Sequence, residues 1–292
     1  FLYWNAEERA AHMRGQQAFA MATDRITFSL KSRMETLRMM LRGVKGYYDG
    51  SAQIDPGEFQ AYVGALDLQQ TLPGLQGVAY VLRLEHGQVA AHELAMQGQW
   101  GNGYRVWPDA PGEARRVIAL IEPLNEVNRR VLGFDAGSVP GALDALERAR
   151  DTGEVALTGT IGLRQYANEP GEKGLVMYLP IFRGGASTET VEQRRKALVG
   201  WVSAPFRLAD LLQGIQQQLD SDVGLSIFDG DATNPAAQIH GAGAMSSASF
   251  QETRHIEVGG RRWTLVMHSL PAFTNRLEDS GQTLVALLGA VL

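Results

Sequence analysis

The chain has 292 residues, 45% of them hydrophobic, which is enough to build one large domain or two ordinary domains. Its 32 acidic and 27 basic residues give a net charge of −5, and no run of Lys and Arg interleaved with aromatic residues forms a phosphate-binding surface, so nucleic acid is not expected as a partner. The absence of cysteine excludes disulfides, thiolate catalysis and Cys-ligated zinc.

The two ends of the chain are apolar. Residues 1–4, FLYW, precede the charged residues NAEER, and Trp and Tyr concentrate at membrane interfaces, so this cluster is interpreted as the end of a membrane span. At the other end, LVALLGAVL (284–292) is shorter than the roughly 20 residues that cross a bilayer. It is interpreted as the beginning of a second span, with a helix packed in the core as the alternative. The sequence therefore predicts a domain between two spans.

A long amphipathic helix is predicted within residues 19–48. From Ile26 onward, successive apolar residues are three or four positions apart, the spacing of one helix face. The apolar stripe comprises Phe19, Ile26, Leu30, Met34, Leu37, Leu41, Val44 and Tyr48. Such a stripe packs either on its own domain or on the same helix of a second chain. Continuation of the helix from a membrane span favours a paired stalk, so we expect a homodimer.

Turn and capping residues mark the end of this helix and the start of the next. Gly43, Gly46 and Asp49-Gly50 are expected to end the stalk helix. In Asp55-Pro56-Gly57-Glu58, the Asp is predicted to be the N-cap of a second helix, with the Pro at its first position and the Glu closing a capping box.

Segments of strand composition begin at residue 77. Five of them are expected to form one sheet: 77–84, 114–124, 153–163, 174–182 and 197–206. Helices are predicted at 125–134, 142–152 and 207–219. A second strand-rich region comprises 222–231, 237–241, 254–260 and 261–270, with the last two joined as a hairpin around Gly259-Gly260. The predicted order is a long helix, a larger α/β module, a smaller α/β module and an exit helix.

Catalytic and metal-binding motifs are not recognisable in the sequence. The six histidines have no close ligand spacing, and there is no GxSxG elbow or GxxxxGK[ST] loop. Asp229-Gly230-Asp231 resembles the start of a calcium loop, but His240 stands where the bidentate Glu is needed, so these residues are interpreted as a turn. We expect no cofactor, no metal and no enzymatic activity.

Four segments are distinctive in their order: IEPLNEVNRRVLGFDAGS (121–138), LERARDTGEVALTGTIGL (146–163), GLVMYLPIF (174–182) and RRKALVGWVSAPFRLADLL (194–212). They resemble the CHASE domain, the extracytoplasmic sensory module of membrane histidine kinases and nucleotide cyclases. The resemblance covers roughly residues 60–215. It implies an α+β fold with a long N-terminal stalk helix, two PAS-like α/β lobes, a ligand pocket in the membrane-distal lobe, and a last helix that leads to a membrane span.

On this basis the chain divides into four parts. Residues 1–55 are the stalk helix and the start of a linker, 56–220 the membrane-distal lobe, 221–271 the membrane-proximal lobe, and 272–292 the exit helix. The resemblance implies a ligand-binding sensor in the periplasm, part of an inner-membrane protein. Its signal would pass to a cytoplasmic histidine kinase, diguanylate cyclase or phosphodiesterase.

The ligand pocket is expected where helix 142–152 turns into strand 153–163. Gly153 is predicted to take the left-handed conformation that ends the helix and reverses the chain, so helix and strand line one cavity. The two-residue period of a strand places Thr158, Thr160 and Arg164 on one face, and Tyr178 lies on the next strand. The alternative is that the threonines are ordinary strand residues and Tyr178 fills the core.

Comparison with the cytokinin receptors of the family implies roles for three positions. Ala142 stands where those receptors carry a ligand-reading carboxylate, Arg164 lies near the position whose main chain meets the ligand, and Tyr178 occupies a hydroxyl-bearing position. Loss of the carboxylate argues against a cytokinin ligand. Arg164 and Tyr178 in a partly apolar cavity suit a small anion such as a carboxylate, because guanidinium binds it bidentately.

Two further classes of function remain open. A periplasmic protein-interaction module would have an exposed apolar patch and a filled pocket, whereas a small-molecule sensor would have an enclosed cavity above a few hundred Å³, the usual range for ligand sites. An envelope hydrolase would need a nucleophile beside a base. The available residues for that pair are Ser138 or Thr158 near His86 or His92.

Overall fold

The computed structural model describes residues 2–50, 55–109, 114–166, 173–218, 222–241 and 248–277. The helices are α1 (Leu2–Gly50), α2 (Pro56–Gly64), α3 (Leu68–Thr71), α4 (Val89–Trp100), α5 (Glu126–Arg129), α6 (Pro140–Thr152), α7 (Val191–Ala197) and α8 (Leu208–Gln218). The strands are β1 (Val78–Glu85), β2 (Ala114–Glu122), β3 (Ala156–Leu157), β4 (Ile161–Gly162), β5 (Lys173–Phe182), β6 (Leu198–Phe206), β7 (Val223–Asp229), β8 (Gln238–His240), β9 (Gln251–Val258) and β10 (Arg261–Ser269).

The chain forms two compact units. The larger unit comprises Arg33–Leu211 together with Val258–Arg261, and the smaller unit comprises Phe1–Ser32, Leu212–Glu257 and Arg262–Leu292. Each unit contains one sheet with helical segments, and α1 contributes to both. The predicted α+β class, with a long N-terminal helix followed by two sheet-containing lobes, is confirmed. Among the described residues no helix is long and apolar enough to cross a membrane, and 284–292 lies outside them.

The larger unit is built on a six-stranded sheet. The strand order is β2-β1-β6-β5-β3, and β4 also pairs with β5, with antiparallel pairing between neighbours. Four of the five strands predicted for this sheet are confirmed with small shifts of their ends. One sheet face packs on α6, where the indole N–H of Trp201 donates a hydrogen bond of 3.0 Å to the carbonyl of Leu146.

The fifth predicted strand, 153–163, is wrong as a continuous element. Within this segment only β3 and β4 pair with the neighbouring strand β5, and residues 158–160 between them stand opposite two residues, 175 and 176. This extra residue breaks the alternation of side chains on which the predicted face depended.

The helix predicted at 125–134 is also shorter than expected. α5 ends at Arg129 because the following residues are drawn towards the sheet: Gly133 N–H donates to the carbonyl of Ile118 at 2.9 Å, and Trp107 N–H donates to the carbonyl of Gly133 at 3.0 Å. Gly133 has φ +77°, and a Cβ there would lie 2.1 Å from the carbonyl oxygen of Arg105. Only glycine allows this close approach.

The smaller unit contains the sheet β8-β7-β10-β9. β9 and β10 are joined by the predicted turn at Gly259-Gly260, where both residues have positive φ. Ring contacts near 6 Å join Phe19 of α1 to Phe250 and Phe273. Residues 271–277 are helical, and the remainder of the predicted exit helix lies outside the described residues.

The apolar stripe of α1 packs within the protein. All eight residues predicted for it, from Phe19 to Tyr48, are buried. In the larger unit, Tyr48 stacks on Tyr80 of β1 at 4.8 Å between ring centroids and contacts Phe59 of α2. Of the two alternatives that the sequence left open for this stripe, the structure therefore supports packing on its own domain.

The start of α2 follows most of the prediction. Asp55 accepts a hydrogen bond from the N–H of Glu58 at 2.9 Å, and Pro56 occupies the first turn. The capping box is incomplete, because the Glu58 carboxylate lies 3.4 Å from the hydroxyl of Tyr47, which donates to it.

A buried ion pair stabilises the segment that follows α5. Arg115 Nε lies 3.1 Å from Asp135 Oδ2, with 6% and 5% of the two side chains exposed. The other carboxylate oxygen accepts the N–H groups of Arg116 and Gly137. Removing the carboxylate would leave a buried charge and buried donors without partners.

We therefore predict that Asp135→Ala lowers the free energy of unfolding by about 3 kcal/mol. Asp144→Ala is the matched control, because Asp144 is exposed and pairs with Arg148 across one helical turn. Its loss should cost about 0.5 kcal/mol or less. Urea denaturation followed by circular dichroism measures both. Equal effects of the two substitutions would contradict the assigned role of the buried pair.

Candidate functional site

A cavity lies in the larger unit between the sheet and the segments that cover it. Its lining comes from β1, β2, β5 and β6 on one side and from α6, β4 and residues 131–139 and 163–165 on the other. Most of the wall is apolar, formed by Ala79, Ile118, Ile121, Val131, Phe134, Ala136, Val139, Ala142, Ile161, Leu163, Val176 and Pro205. The polar side chains of the lining are those of Arg164, Gln165, Tyr178 and Ser203.

Strand register places two hydroxyl groups in the floor of the cavity. Ser203 pairs with Ala79 of β1 on one side and with Tyr178 of β5 on the other, so the three residues form a row across three strands. Ser203 and Tyr178 are 3% and 4% exposed. Burial raises the pKa of the Tyr178 hydroxyl, so it remains protonated and can donate a hydrogen bond. No described residue accepts a hydrogen bond from this hydroxyl.

Arg164 and Gln165 form the polar part of the opposite wall. They belong to a short 3-10 helix, Arg164–Tyr166, that follows β4. The guanidinium of Arg164 lies 5.6 Å above the ring of Phe134, and the residue is exposed. The Gln165 side chain is 4% exposed, and its Nε2 has no hydrogen-bond partner among the described residues. A buried amide without a partner is available to a guest.

The position of α6 depends on its C-terminal glycine, as predicted. Gly153 has φ +76°, and its N–H donates to the carbonyl of Ala149 at 2.8 Å. This left-handed residue turns the chain from α6 into β3. Asp151 in the last turn binds Arg195 and Arg150, and these hydrogen bonds hold the pKa of its carboxyl below the usual range.

The structure brings together three of the five side chains that the sequence proposed for the site. Ala142, Arg164 and Tyr178 line the cavity. Thr158 and Thr160 do not, which corrects the predicted row of hydroxyl groups. Thr158 is fully buried and its Oγ1 accepts the N–H of Val176 at 3.0 Å, while the hydroxyl of Thr160 is buried without a partner in the described part of the chain.

Sequence reasoning missed Gln165, Ser203 and Phe134. Gln165 follows the proposed Arg164 directly, but nothing in its sequence context marks its amide as buried. Ser203 lies in an apolar strand, where a single Ser is compatible with either face. The residues are recognisable as neighbours only from the register of β6 and from the turn after β4.

The cavity has a volume of about 50 Å³. This is below the few hundred Å³ that the sequence interpretation associated with a ligand site. Tyr178 and Phe134 occupy much of the space that a smaller residue would leave open. At about 10–15 Å³ for each water-sized guest, the space holds roughly four such units, so a guest must be small.

A hydrolytic constellation does not form among the described residues. The Ser138 hydroxyl donates to the carbonyl of Asp135 at 2.7 Å, and His92 Nε2 lies 2.9 Å from the hydroxyl of Tyr104. Thr158 is bound to the backbone of β5. The proposed pairing of Ser138 or Thr158 with His86 or His92 is therefore not supported, and the described residues also contain no group of three possible metal ligands.

Comparison with known proteins gives three findings. A family model of the CHASE domain matches residues 52–240. The sequence is 23% identical over 222 residues to hybrid signal transduction histidine kinase A of Dictyostelium discoideum, an alignment that covers 68% of this chain and 10% of the relative. The chain thus spans about a tenth of the length of that relative.

The third finding is a solved structure whose similarity to this chain is weak. The ligand-binding domain of the Pseudomonas aeruginosa PAO1 amino acid chemoreceptor PctC in complex with GABA aligns with a TM-score of 0.44 and 13% identity. The alignment covers 90% of this chain and 98% of the other. A TM-score of this size does not establish a common fold.

The two threonines yield a paired prediction. Thr158→Val should lower the free energy of unfolding by about 1–3 kcal/mol, because the buried N–H of Val176 loses its acceptor. Thr160→Val should be neutral or slightly stabilising, because it removes a buried hydroxyl without a partner. Chemical denaturation of the two variants measures this difference. A larger loss for Thr160→Val would contradict the hydrogen bonding described here.

Proposed function

Because the chain belongs to the CHASE-domain family, a family of sensor domains of signalling receptors, we propose that it binds a small anion in the cavity lined by Arg164 and Tyr178. The proposed ligand is a carboxylate of about four to six non-hydrogen atoms. The domain itself is the sensor, and the catalytic output lies in another part of the receptor.

The observation that carries this proposal is the combination of donors around a small apolar space. Arg164 supplies a positive charge, and the amide of Gln165 and the hydroxyl of Tyr178 supply neutral donors. No carboxylate belongs to the described lining. Hydrogen bonds to an ionised acceptor are about twice as strong as those between neutral groups, so an anion is favoured over a neutral guest of the same size.

The signal is proposed to leave the cavity through β1. Ala79 lines the cavity, and the adjacent Tyr80 points to the opposite face of the strand, where it stacks on Tyr48 of α1. A guest that favours one position of β1 therefore also favours one packing of α1. A hundredfold preference for one conformation supplies about 2.7 kcal/mol, which is enough to switch a balanced equilibrium.

The placement in the cell follows from the proposed receptor. We propose that the chain is the periplasmic part of an inner-membrane protein, with 56–220 as the membrane-distal lobe and 221–271 as the membrane-proximal lobe. The stalk helix in 1–55 and the exit helix in 272–292 would connect these lobes to the membrane. A cytoplasmic histidine kinase, diguanylate cyclase or phosphodiesterase would receive the signal.

A protein-interaction module without a small-molecule ligand is the second candidate. The cavity volume of about 50 Å³ favours it, as do the exposed apolar side chains of Met13, Met21, Phe28 and Leu94. In this case Arg164 and Gln165 would be structural. The two functions are separated by whether a small carboxylate binds and whether Arg164 is needed.

The binding proposal predicts the outcome of calorimetric titration with acetate, propionate and pyruvate. At least one should bind, and Arg164→Gln should weaken that binding by about tenfold or more, because the charge-assisted hydrogen bonds are lost. Arg183→Gln is the matched control: Arg183 is exposed and lies outside the cavity lining, so binding should be unchanged.

A second variant removes space rather than charge. Ala142→Leu places a larger side chain at the cavity wall and should abolish binding while the circular dichroism spectrum is retained. Absence of binding by every carboxylate in the panel, or equal affinity of Arg164→Gln and the parent chain, would contradict the proposed anion site and favour the interaction module.

The homodimer is proposed to use the outward face of α1, since the predicted stripe is buried. Met21 and Phe28 are 59% and 73% exposed and lie two helical turns apart on one face. The double substitution of Met21→Ser and Phe28→Ser should weaken self-association by about tenfold or more, measured by analytical ultracentrifugation. Leu94→Ser, at a residue that is 74% exposed on α4, is the matched control. An unchanged association constant would remove this face as the interface.

A further inference from the structure

A second pocket in the larger unit is open to solvent and has no part in the function proposed above. It lies between the end of α4, the segment 103–107 and the region after α5, and its volume is about 360 Å³. That volume falls within the usual range of small-molecule sites, about 300–1,000 Å³. We propose that this pocket is a second binding site, and that it takes a planar aromatic carboxylate.

Three aromatic side chains contribute to the pocket walls. Trp100, Tyr104 and Trp107 line it, together with Leu132. The indole N–H of Trp100 is shielded from solvent and has no acceptor among the described residues. Aromatic walls favour a flat guest, because offset stacking of rings contributes beyond the burial of area.

Two exposed arginines give the pocket its charge preference. Arg105 and Arg129 belong to the lining, and no ion pair of either residue occurs within the described part of the chain. The described lining contains no carboxylate. The carboxylate of the nearby Glu93 is engaged by the N–H of Val106 at 2.7 Å. The charge of Arg129 is partly offset by the nearby carboxylate of Glu122, whereas Arg105 has no counter-charge among the residues that the structure describes. A negatively charged guest can therefore bind these guanidinium groups, which present a planar pair of donors to carboxylates.

The aromatic walls are held in place by hydrogen bonds before any guest binds. Trp107 Nε1 donates to the carbonyl of Leu132 at 3.0 Å, and the Tyr104 hydroxyl lies 2.9 Å from His92 Nε2. Burial lowers the pKa of His92, so its imidazole is neutral at pH 7. A preformed site loses less conformational entropy on binding than a flexible surface does.

The proposal is tested by calorimetric titration of the 292-residue chain with benzoate. A guest of this size should bind with a Kd of about 1 mM or lower. Benzyl alcohol, which keeps the ring without the charge, should bind about tenfold more weakly. Cyclohexanecarboxylate, which keeps the charge without the flat ring, should bind about fivefold more weakly.

Variants distinguish this pocket from the smaller cavity. The double substitution of Arg105→Gln and Arg129→Gln should weaken benzoate binding by about tenfold or more. Both residues are exposed, so these substitutions should leave the fold intact. Trp100→Leu should weaken it by about fivefold. Arg164→Gln should leave benzoate affinity unchanged, whatever it does to acetate. Loss of benzoate binding in the Arg164 variant, retention in the double variant, or no binding by the parent chain would overturn the proposal.

Discussion

The antiparallel register of β1, β6 and β5 is the constraint on which the cavity depends. It aligns Ala79, Ser203 and Tyr178 in one row on the face that is covered by α6 and the loops. A shift of one residue in any of these strands would turn the hydroxyl groups to the other face, where α1 packs through Tyr48 and Tyr80. Register therefore decides both the chemistry of the cavity and the contact with the long helix.

Local contacts hold the segments that cover the sheet. Gly153 allows α6 to end and the chain to reverse, and the buried pair of Arg115 and Asp135 anchors the loop that precedes α6. Phe134 in this loop contacts both Arg164, above its ring, and Trp107, at 4.7 Å between ring centroids. Phe134 lines the small cavity, and its neighbour Trp107 lines the open aromatic pocket, so the two sites are adjacent without a common lining residue.

In the proposed binding function, the size of the cavity limits the size of the ligand. Tyr178 is a large side chain in the floor, and Ala142 provides no charge on the helix side. The remaining donors are a guanidinium, an amide and a phenol, and the volume suits a guest of a few atoms. For the proposed ligand, these residues would favour a small anion over a neutral guest of the same size.

The sequence by itself determined the family, the long first helix and the order of the two sheet-containing modules, whereas α4 and α7 were not predicted. Periodicity identified the buried stripe of α1, capping residues placed the start of α2, and glycine marked the turns at 153 and 259–260, because each of these signals is local along the chain. The resemblance to the CHASE domain also placed Arg164, Tyr178 and Ala142 in one cavity, and all three line it.

Only the tertiary structure decided which side chains face a common space. One extra residue at 158–160 removes the threonines from the cavity and moves Arg164 into a 3-10 turn, where Gln165 becomes its neighbour. The partner of the α1 stripe was likewise undecided, because the same spacing packs on a sheet or on a second helix. The aromatic pocket combines residues from three separate segments, and strand pairing and loop packing over long separations bring them together.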